Sequence, residues 1–255
     1  MTLEIVTVPC RTDNYAYLLR DAETGQVGLV DAPEAAPIAA ALAERGWGLD
    51  LILITHHHDD HVAAVEDLRR EHGARVAGAA ADRRRLPPLD IELAEHDTLS
   101  LGASEARVID VPGHTIGHIA YHFPDDAALF TADSLMAMGC GRLFEGTPAQ
   151  MWSSLSKLAV LPGETLVYSG HEYTESNTRF ALSVDPDNAD LVARAADIAG
   201  VRARSEPTVP SRLDLERATN PFLRAGEAAL KSRIGMPTAN DEEAFAEIRR
   251  RKDSF

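Results

Sequence analysis

A seven-residue segment carries four histidines and two aspartates and follows directly after an apolar run. The segment reads T-H-H-H-D-D-H at residues 55–61, and the run before it reads L-I-L-I at residues 51–54. A short apolar run predicts a buried strand, and imidazoles with carboxylates at its end suit a transition metal. Alternate side chains of an extended segment face the same way. We therefore expect His56, His58 and Asp60 on one side, with His61 following as the chain turns.

Three later segments place a histidine or an aspartate just after a predicted strand. They read P-G-H-T-I-G-H at residues 112–118, T-A-D-S at residues 131–134 and S-G-H-E at residues 169–172. Loops at one edge of a sheet converge, and binding sites are commonly built there. The sequence predicts that His114, Asp133 and His171 join the histidine segment in one site. His118 is a candidate for orienting that site from behind the ligands.

Counting the ligands predicts a site for two divalent metal ions per chain. The seven candidates divide into two sets of three and one bridge: His56, His58 and His114; Asp60, His61 and His171; and Asp133. A hydroxide held by both metals would be the nucleophile, because metal-bound water ionises near pH ~7. The remaining positive charge would stabilise a tetrahedral oxyanion. Zinc is the expected metal, and iron and manganese accept the same ligands. His57 and Asp59 are expected to be bystanders.

Charge and composition exclude several classes of protein. Lysine and arginine number 25 against 40 acidic residues, a formal net charge of −15, which disfavours nucleic acid and anionic membranes as partners. No apolar run reaches the ~20 residues of a membrane helix, and the N-terminus does not resemble a signal peptide. The two cysteines, Cys10 and Cys140, form no close-spaced metal motif. We expect a monomer in a reducing cytoplasm, acting on a small molecule.

The chain divides by its pattern of predicted elements into two parts. Residues 1–171 alternate between strands and helices, whereas residues 172–255 predict helices broken by prolines, with no convincing strand. Strands are predicted at residues 3–8, 15–19, 27–31, 51–54, 107–111, 119–123, 128–131 and 165–168. Helices are predicted at residues 35–45, 62–71, 148–158, 175–183, 189–204 and 241–252. Gly46 and Gly73 are expected to end the first two helices, and Thr147 is expected to cap the third.

These motifs resemble the metallo-β-lactamase superfamily and, within it, the glyoxalase II (hydroxyacylglutathione hydrolase) family. The T-H-x-H-x-D-H and G-H-T-x-G-H segments, Asp133 and His171 carry the superfamily resemblance. Further segments carry the narrower one: T-D-N-Y at residues 12–15, C-G-R-L-F-E-G-T at 140–147, G-H-E-Y-T at 170–174, N-P-F at 220–222, and residues 249–255.

The resemblance implies an α/β fold, an αββα sandwich followed by a smaller C-terminal helical domain. The expected boundaries are 1–171 for the catalytic domain and 172–255 for a helical substrate-binding domain. The implied reaction is hydrolysis of the thioester S-D-lactoylglutathione to D-lactate and glutathione, part of methylglyoxal degradation. The metal ligands would be those counted above, with Asp60 and Asp133 also catalytic. The implied substrate contacts are Arg142, Phe144, His171, Tyr173, Arg249 and Lys252.

A thioester suits a site that has no obvious general acid. Its leaving thiolate, with a thiol pKa of about 8.5, departs without a proton donor, whereas an amine leaving group needs one. The alternative is a mononuclear iron dioxygenase acting on glutathione persulfide. That reaction does not need a second metal set, so the presence of Asp60, His61 and His171 favours the hydrolase. A nuclease and a non-catalytic metal-binding protein are disfavoured by the acidity and by the complete ligand set.

Overall fold

A computed structural model describes residues 3–255 and contains two compact units. The first unit comprises residues up to Asp110 together with Thr115–Thr131. The second comprises Val111–His114 and Ala132–Phe255. Within the described residues, no helix is long and apolar enough to cross a bilayer.

The first unit contains a six-stranded sheet with strand order β1-β2-β3-β4-β5-β6. The strands are β1 (Leu3–Cys10), β2 (Asn14–Asp21), β3 (Val27–Val30), β4 (Leu51–Leu53), β5 (Arg75–Ala79) and β6 (Ile91–Leu93). The first three strands pair antiparallel, and β3 to β6 pair parallel. Because β3, β4 and β5 are parallel neighbours, their carboxyl ends share one edge. Asp31, the 55–61 segment and Asp82 all follow at that edge.

The same unit contains an antiparallel run of strands with the order β10-β9-β8-β7. These strands are β7 (Thr98–Leu101), β8 (Ser104–Asp110), β9 (Ile119–Phe123) and β10 (Ala128–Ala132). Every residue of β9 and β10 is buried. The G-H-T-I-G-H segment therefore leads from β8 into a fully buried strand.

Three helices of the first unit are α1 (Ala35–Arg45), α2 (Asp59–Val62) and α3 (Val65–His72). Gly46 and Gly73 have left-handed φ angles of 65° and 70° and close the ends of α1 and α3, as predicted. The helix predicted at residues 62–71 is different from the observed one. The chain forms a short helix at residues 59–62 and a second at 65–72, so three members of the histidine segment, Asp59, Asp60 and His61, lie in a helical turn.

The second unit is mainly helical, with four short strands. Its helices are α4 (Pro148–Ala159), α5 (Thr174–Val184), α6 (Ala189–Ala203), α7 (Leu213–Thr219), α8 (Ala228–Arg233) and α9 (Asp241–Asp253). Its strands are β11 (Leu135–Met136), β12 (Gly139–Cys140), β13 (Leu166–Ser169) and β14 (Ser211–Arg212).

The prediction that no strand follows residue 171 is wrong. Strand β14 pairs antiparallel with β13, through Leu166↔Arg212 and Val167↔Ser211. With only two residues it is too short to give an alternating pattern, which explains why the sequence did not reveal it. Cys10 and Cys140 are free and buried.

Candidate metal centre

The first pair of predicted ligands emerges from a fully buried strand. All three residues of β4 are buried, and Ile54, Thr55 and His56 have no exposed surface. His56 Nε2 lies 3.2 Å from His58 Nδ1, so alternate residues of this extended segment do bring their side chains together. The Thr55 hydroxyl lies 3.0 Å from His56 Nδ1, a contact that directs Nε2 of the same ring toward His58.

Asp60 and His61 reach the site differently from the way the extended pattern predicts. His58 has an extended backbone and caps α2, so Asp60 and His61 project from the first turn of a helix. Asp60 Oδ2 lies 3.7 Å from His61 Nε2. The Asn14 side-chain amide donates to Asp60 Oδ2 at 3.0 Å and to the Asp60 carbonyl at 3.1 Å. Asn14 therefore fixes both the backbone and the carboxylate of Asp60.

Asp31 is a site residue that the sequence reading missed. It directly follows β3, is buried, and has a left-handed φ of 56°. Its carboxylate accepts hydrogen bonds from the Thr55 amide at 2.9 Å and from the Thr55 hydroxyl at 2.8 Å. Its Oδ2 also lies 2.8 Å from His61 Nδ1. Asp31 thus orients His61 directly and His56 through Thr55. Its position at the end of a strand is a sequence signal that could have identified Asp31 as a candidate.

Three ligand candidates belong to the second unit and are all buried. Asp133 Oδ2 lies 3.4 Å from His114 Nε2 and 3.3 Å from His171 Nε2. The other nitrogen of His114, Nδ1, donates to the Arg142 carbonyl at 2.8 Å, which turns Nε2 toward Asp133. A Cβ on Gly141 would lie 1.9 Å from the Asp133 carbonyl oxygen, so only glycine allows this approach.

The side chains gather into groups that fit a divalent metal ion. Within the first unit, the ligand atoms of Asp31, His56 and His61 all lie within 4.8 Å of one another. Within the second unit, the Asp133 carboxylate lies near nitrogens of both His114 and His171. Buried imidazole nitrogens with a carboxylate oxygen are the donor set of zinc, iron and manganese sites.

The residues expected to stand beside the ligands have their own contacts. His118 stacks on the His56 ring, with centroids 4.6 Å apart and planes 11° apart. His57 Nδ1 lies 3.0 Å from the carboxylate of Asp82. The side chain of Asp59 is 83% exposed and pairs with Arg11 at 2.8 Å. Asp59 therefore points to solvent.

Three of the predicted substrate contacts, Arg142, Phe144 and Tyr173, are exposed to solvent. Two others, Arg249 and Lys252, contact groups within the protein. The side chain of Arg142 is 59% exposed, and Phe144 and Tyr173 are also exposed. The Phe144 ring lies 5.3 Å from the His114 ring, and the Tyr173 ring stacks on His171 at 4.6 Å. These three side chains therefore surround candidate metal ligands.

Arg249, by contrast, is buried and donates to the Cys140 carbonyl at 3.0 Å and to Asp253 at 2.8 Å. The Lys252 ammonium lies 3.3 Å from the Ser176 carbonyl and 5.3 Å from the centre of the Phe180 ring. Burial lowers the pKa of Lys252 from its usual value, and neighbouring Arg249 lowers it further. A role for either residue in binding substrate stays a prediction.

Two family models together match almost the entire chain. The metallo-beta-lactamase superfamily model matches residues 12–171, and the model of the hydroxyacylglutathione hydrolase C-terminus matches residues 172–255. A curated relative, the hydroxyacylglutathione hydrolase of Cereibacter sphaeroides (strain ATCC 17023), is 65% identical over 255 residues, which is 100% of both chains.

Solved structures show the same fold. The crystal structure of ETHE1 from Myxococcus xanthus has a TM-score of 0.67 and 24% identity, covering 98% of this chain and 90% of that one. The crystal structure of TTHA1623 in a di-iron-bound form has a TM-score of 0.62 and 26% identity, covering 86% of this chain and 100% of that one. The chain therefore has the metallo-β-lactamase fold with a helical C-terminal region, as predicted.

Proposed function

The chain belongs to the hydroxyacylglutathione hydrolase family of the metallo-β-lactamase superfamily, and we propose from this membership that it hydrolyses S-D-lactoylglutathione to D-lactate and glutathione. The observation that carries the proposal is the full-length likeness to a hydroxyacylglutathione hydrolase, which extends through the C-terminal helices as well as the metal-ligand motifs. A likeness limited to those motifs would have supported only the superfamily.

Two divalent metal ions would be held by the ligand sets that the sequence predicts. His56, His58 and His114 would hold one ion, Asp60, His61 and His171 the other, and Asp133 would contact both. The contacts of His56 with His58 and of Asp60 with His61 support this division, as does the position of Asp133 Oδ2 between His114 and His171 nitrogens. TTHA1623, which has the same fold, was solved in a di-iron-bound form. When bound, such ions lower the pKa of water to about 7 and polarise a carbonyl oxygen.

The residues of the chain supply orientation and charge balance for this reaction. Asn14 holds Asp60, and Asp31 holds His61, so the second ligand set is fixed by hydrogen bonds before substrate arrives. The carboxylates of Asp60 and Asp133 offset part of the charge that the metals bring. The reaction breaks the carbon–sulfur bond with water, and the thiolate leaves without a dedicated acid because its conjugate thiol has a pKa of about 8.5.

Glutathione binding would begin at the accessible side chains around the ligands. Glutathione carries two carboxylates and one ammonium group, so an acidic protein needs local positive charge to hold it. Arg142 provides such a charge, because it is half exposed and its ion pair with Asp253, at 3.6 Å, is open to solvent. The exposed Phe144 and Tyr173 rings lie against His114 and His171. Arg249 and Lys252 would take part only by exchanging their internal contacts. We assign residues 1–171 to catalysis and 172–255 to substrate binding, which the meeting of the two family matches at 171 and 172 supports.

The mononuclear persulfide dioxygenase is the less favoured alternative. It requires only one metal, so it has no use for the second ligand set, Asp60, His61 and His171, that the sequence predicts. The full-length relative is named a hydroxyacylglutathione hydrolase, which favours hydrolysis.

A direct test follows the loss of thioester absorbance on protein of measured metal content. The substrates are S-D-lactoylglutathione and the D-lactoyl thioester of N-acetylcysteamine, which has the same acyl group on an uncharged thiol. Because hydrogen bonds to charged groups contribute about 1.5–3 kcal/mol, we expect kcat/KM to favour the glutathione thioester by ~10- to 100-fold. Equal values would leave only a general thioester hydrolase, and oxygen uptake with glutathione persulfide would favour the dioxygenase.

A further inference from the structure

We propose that Asp82 is a positioning residue that fixes the histidine segment from behind its metal ligands, through His57 on one side and Gly117 on the other. The proposal rests on the proposed function, because it assigns a role toward the same metal centre. Neither Asp82 nor His57 is among the predicted ligands. Both lie in the first unit, as do Arg85 and Gly117.

The contact between Asp82 and His57 holds the backbone between two ligands. His57 lies between His56 and His58, and its ring packs edge-on against the His58 ring, with centroids 4.9 Å apart. Its Nδ1 lies 3.0 Å from Asp82 Oδ2, and Asp82 is buried. A histidine anchored at this point limits the freedom of the peptide groups on either side of it. The separation of 3.2 Å between His56 Nε2 and His58 Nδ1 therefore depends on that anchor.

Arg85 completes the arrangement and sets the tautomer of His57. Its Nε donates to Asp82 Oδ1 at 2.5 Å, and its terminal nitrogen lies 3.4 Å from His57 Nε2. Since Arg85 can only donate, His57 accepts at Nε2 and donates from Nδ1 to Asp82. Each carboxylate oxygen of Asp82 thus has a donor. The side chains of Asp82 and His57 are only 4% and 17% exposed, so water competes little for these bonds.

Gly117 brings a second ligand loop against the same carboxylate. A Cβ on Gly117 would lie 2.5 Å from Asp82 Cβ and 2.6 Å from its carboxyl carbon, so no other residue fits without movement. The next residue, His118, stacks on His56. Asp82 therefore lies against the backbone of Gly117 as well as the side chain of His57, and it sets the spacing between Gly117 and the histidine segment.

The fold explains why Asp82 is rigid enough to do this. It ends the short helical turn Ala80–Asp82, which follows β5. Strand β5 pairs parallel with β4, which leads into the histidine segment, so both loops leave the sheet at one edge. The Asp82 carbonyl accepts from the amides of Arg85 at 2.9 Å and Leu86 at 3.2 Å. These bonds fix the backbone that presents the carboxylate.

Asp82→Asn is the variant that tests the proposal. The amide replaces one acceptor oxygen with an NH₂ group, which must then face a donor of either Arg85 or His57. Residues behind metal ligands typically affect metal affinity by ~10- to 100-fold when changed. We expect a fall of that size for the set containing His56 and His58, with about one metal ion lost per chain on exposure to a chelator.

The matched control is Asp90→Asn. Asp90 is also a carboxylate of the first unit, and it accepts from the Val76 amide at 2.8 Å and from Arg69 at 2.9 Å. Neither contact involves the histidine segment. This variant is expected to lower the unfolding temperature without a change in metal affinity.

The experiment uses zinc-loaded full-length protein, with zinc content measured by elemental analysis and affinity by competition with a chelating dye. Wild type, Asp82→Asn and Asp90→Asn are compared, and thermal unfolding is recorded for each metal-free form. A wild-type zinc affinity in Asp82→Asn would overturn the proposal, whether or not its unfolding temperature falls. A wild type that binds no zinc, iron or manganese would instead overturn the proposed function.

A second pair of variants tests the same contact from the His57 side, in case Asp82→Asn does not fold. His57→Gln keeps a side-chain N–H that can reach Asp82, whereas His57→Ala removes it. We expect His57→Gln to retain more zinc than His57→Ala. Equal retention in the two variants would contradict an anchor that acts through this hydrogen bond.

Discussion

At the scale of single residues, the site depends on buried carboxylates that do not themselves need to bind metal. Asp31 receives three hydrogen-bond contacts, two from Thr55 and one from His61. Charge-assisted hydrogen bonds of this kind are stronger than neutral ones and hold their partners in one orientation. The direction of two histidine rings is therefore set by an aspartate on a neighbouring strand.

Asp31→Asn should weaken both metal binding and folding. Only one oxygen of the amide can accept, so at least one of the three buried donors loses its partner, at a cost of about 1–3 kcal/mol. Metal affinity should fall by ~10- to 100-fold, because His61 loses its fixed orientation. Urea unfolding of the metal-free protein measures the loss of stability, and chelator competition measures the loss of metal affinity.

Asp126→Asn separates these two effects. Asp126 is also buried in the first unit, and it accepts from the Leu3 amide at 3.0 Å. Its variant should lose stability while keeping metal affinity. If Asp31→Asn resembles it in both measurements, Asp31 has no special role at the site.

The sequence revealed the candidate ligands but not the residues behind them. His56, His58, His114 and His171 stand out because histidines are rare and cluster at strand ends. Asp31 and Asp82 are single aspartates among 40 acidic residues, and although Asp31 stands at the end of a strand, no adjacent histidine marks either of them as part of a site. Their contacts lie 24 and 25 residues away along the chain, at Thr55 and His57, so only the folded structure identifies them.

At the scale of elements, α4 carries a complete capping box at its first turn. The Thr147 hydroxyl accepts from the Gln150 amide at 3.2 Å, and the Gln150 side chain accepts from the Thr147 amide at 2.9 Å. The same helix supports a ligand loop, because the Ser154 hydroxyl donates to the Pro112 carbonyl at 2.7 Å. The middle of α4 thus holds the loop that presents His114.

Thr147→Ala should lower the free energy of unfolding by about 1 kcal/mol, since one amide at the helix start loses its acceptor. Thr147→Ser keeps the hydroxyl and is the control. Urea unfolding at neutral pH compares the two variants with wild type. The prediction fails if the serine variant is destabilised as much as the alanine variant.

Helix ends were predictable because their signals are local. Gly46, Gly73 and Thr147 each act through the backbone within a few residues. Strand β5 and the break between α2 and α3 were not predicted. Residues 75–79 read R-V-A-G-A, a segment that is too short and too rich in alanine and glycine to predict a strand. The break at Ala63 and Ala64 has no breaking residue, so tertiary contacts decide it: the Ala64 amide donates to the Ala32 carbonyl at 2.9 Å.

At the scale of the whole molecule, stability in acid depends on carboxylates ionised in the fold. Burial raises the pKa of Asp21, but hydrogen bonds from Thr24 and Ser104 outweigh this and lower it to about 2. Asp21 ends β2 and Ser104 begins β8, so this carboxylate links strands of both sheet portions of the first unit.

The lowered pKa of Asp21 determines how its contribution to the unfolding free energy changes with pH. Because the pKa of Asp21 is lower in the folded protein than the usual aspartate value of 3.8, its contribution is fully present above about pH 4. That contribution is lost as pH falls through 2. We expect the difference in unfolding free energy between wild type and Asp21→Asn to be constant from pH 7 to 5 and to shrink below pH 4. A difference that stays constant down to pH 2 would contradict this assignment.

The burial of the two cysteines matters because the proposed reaction releases a thiol. Burial raises the pKa of Cys10 to about 12 and that of Cys140 to about 11. Every turnover of the proposed reaction releases glutathione, and thiol–disulfide exchange proceeds only through a thiolate with access to its partner. Since both sulfurs stay protonated and covered at neutral pH, mixed disulfides with oxidised product are disfavoured. The enzyme can therefore work through changes in the glutathione redox balance without being modified by the molecule it liberates.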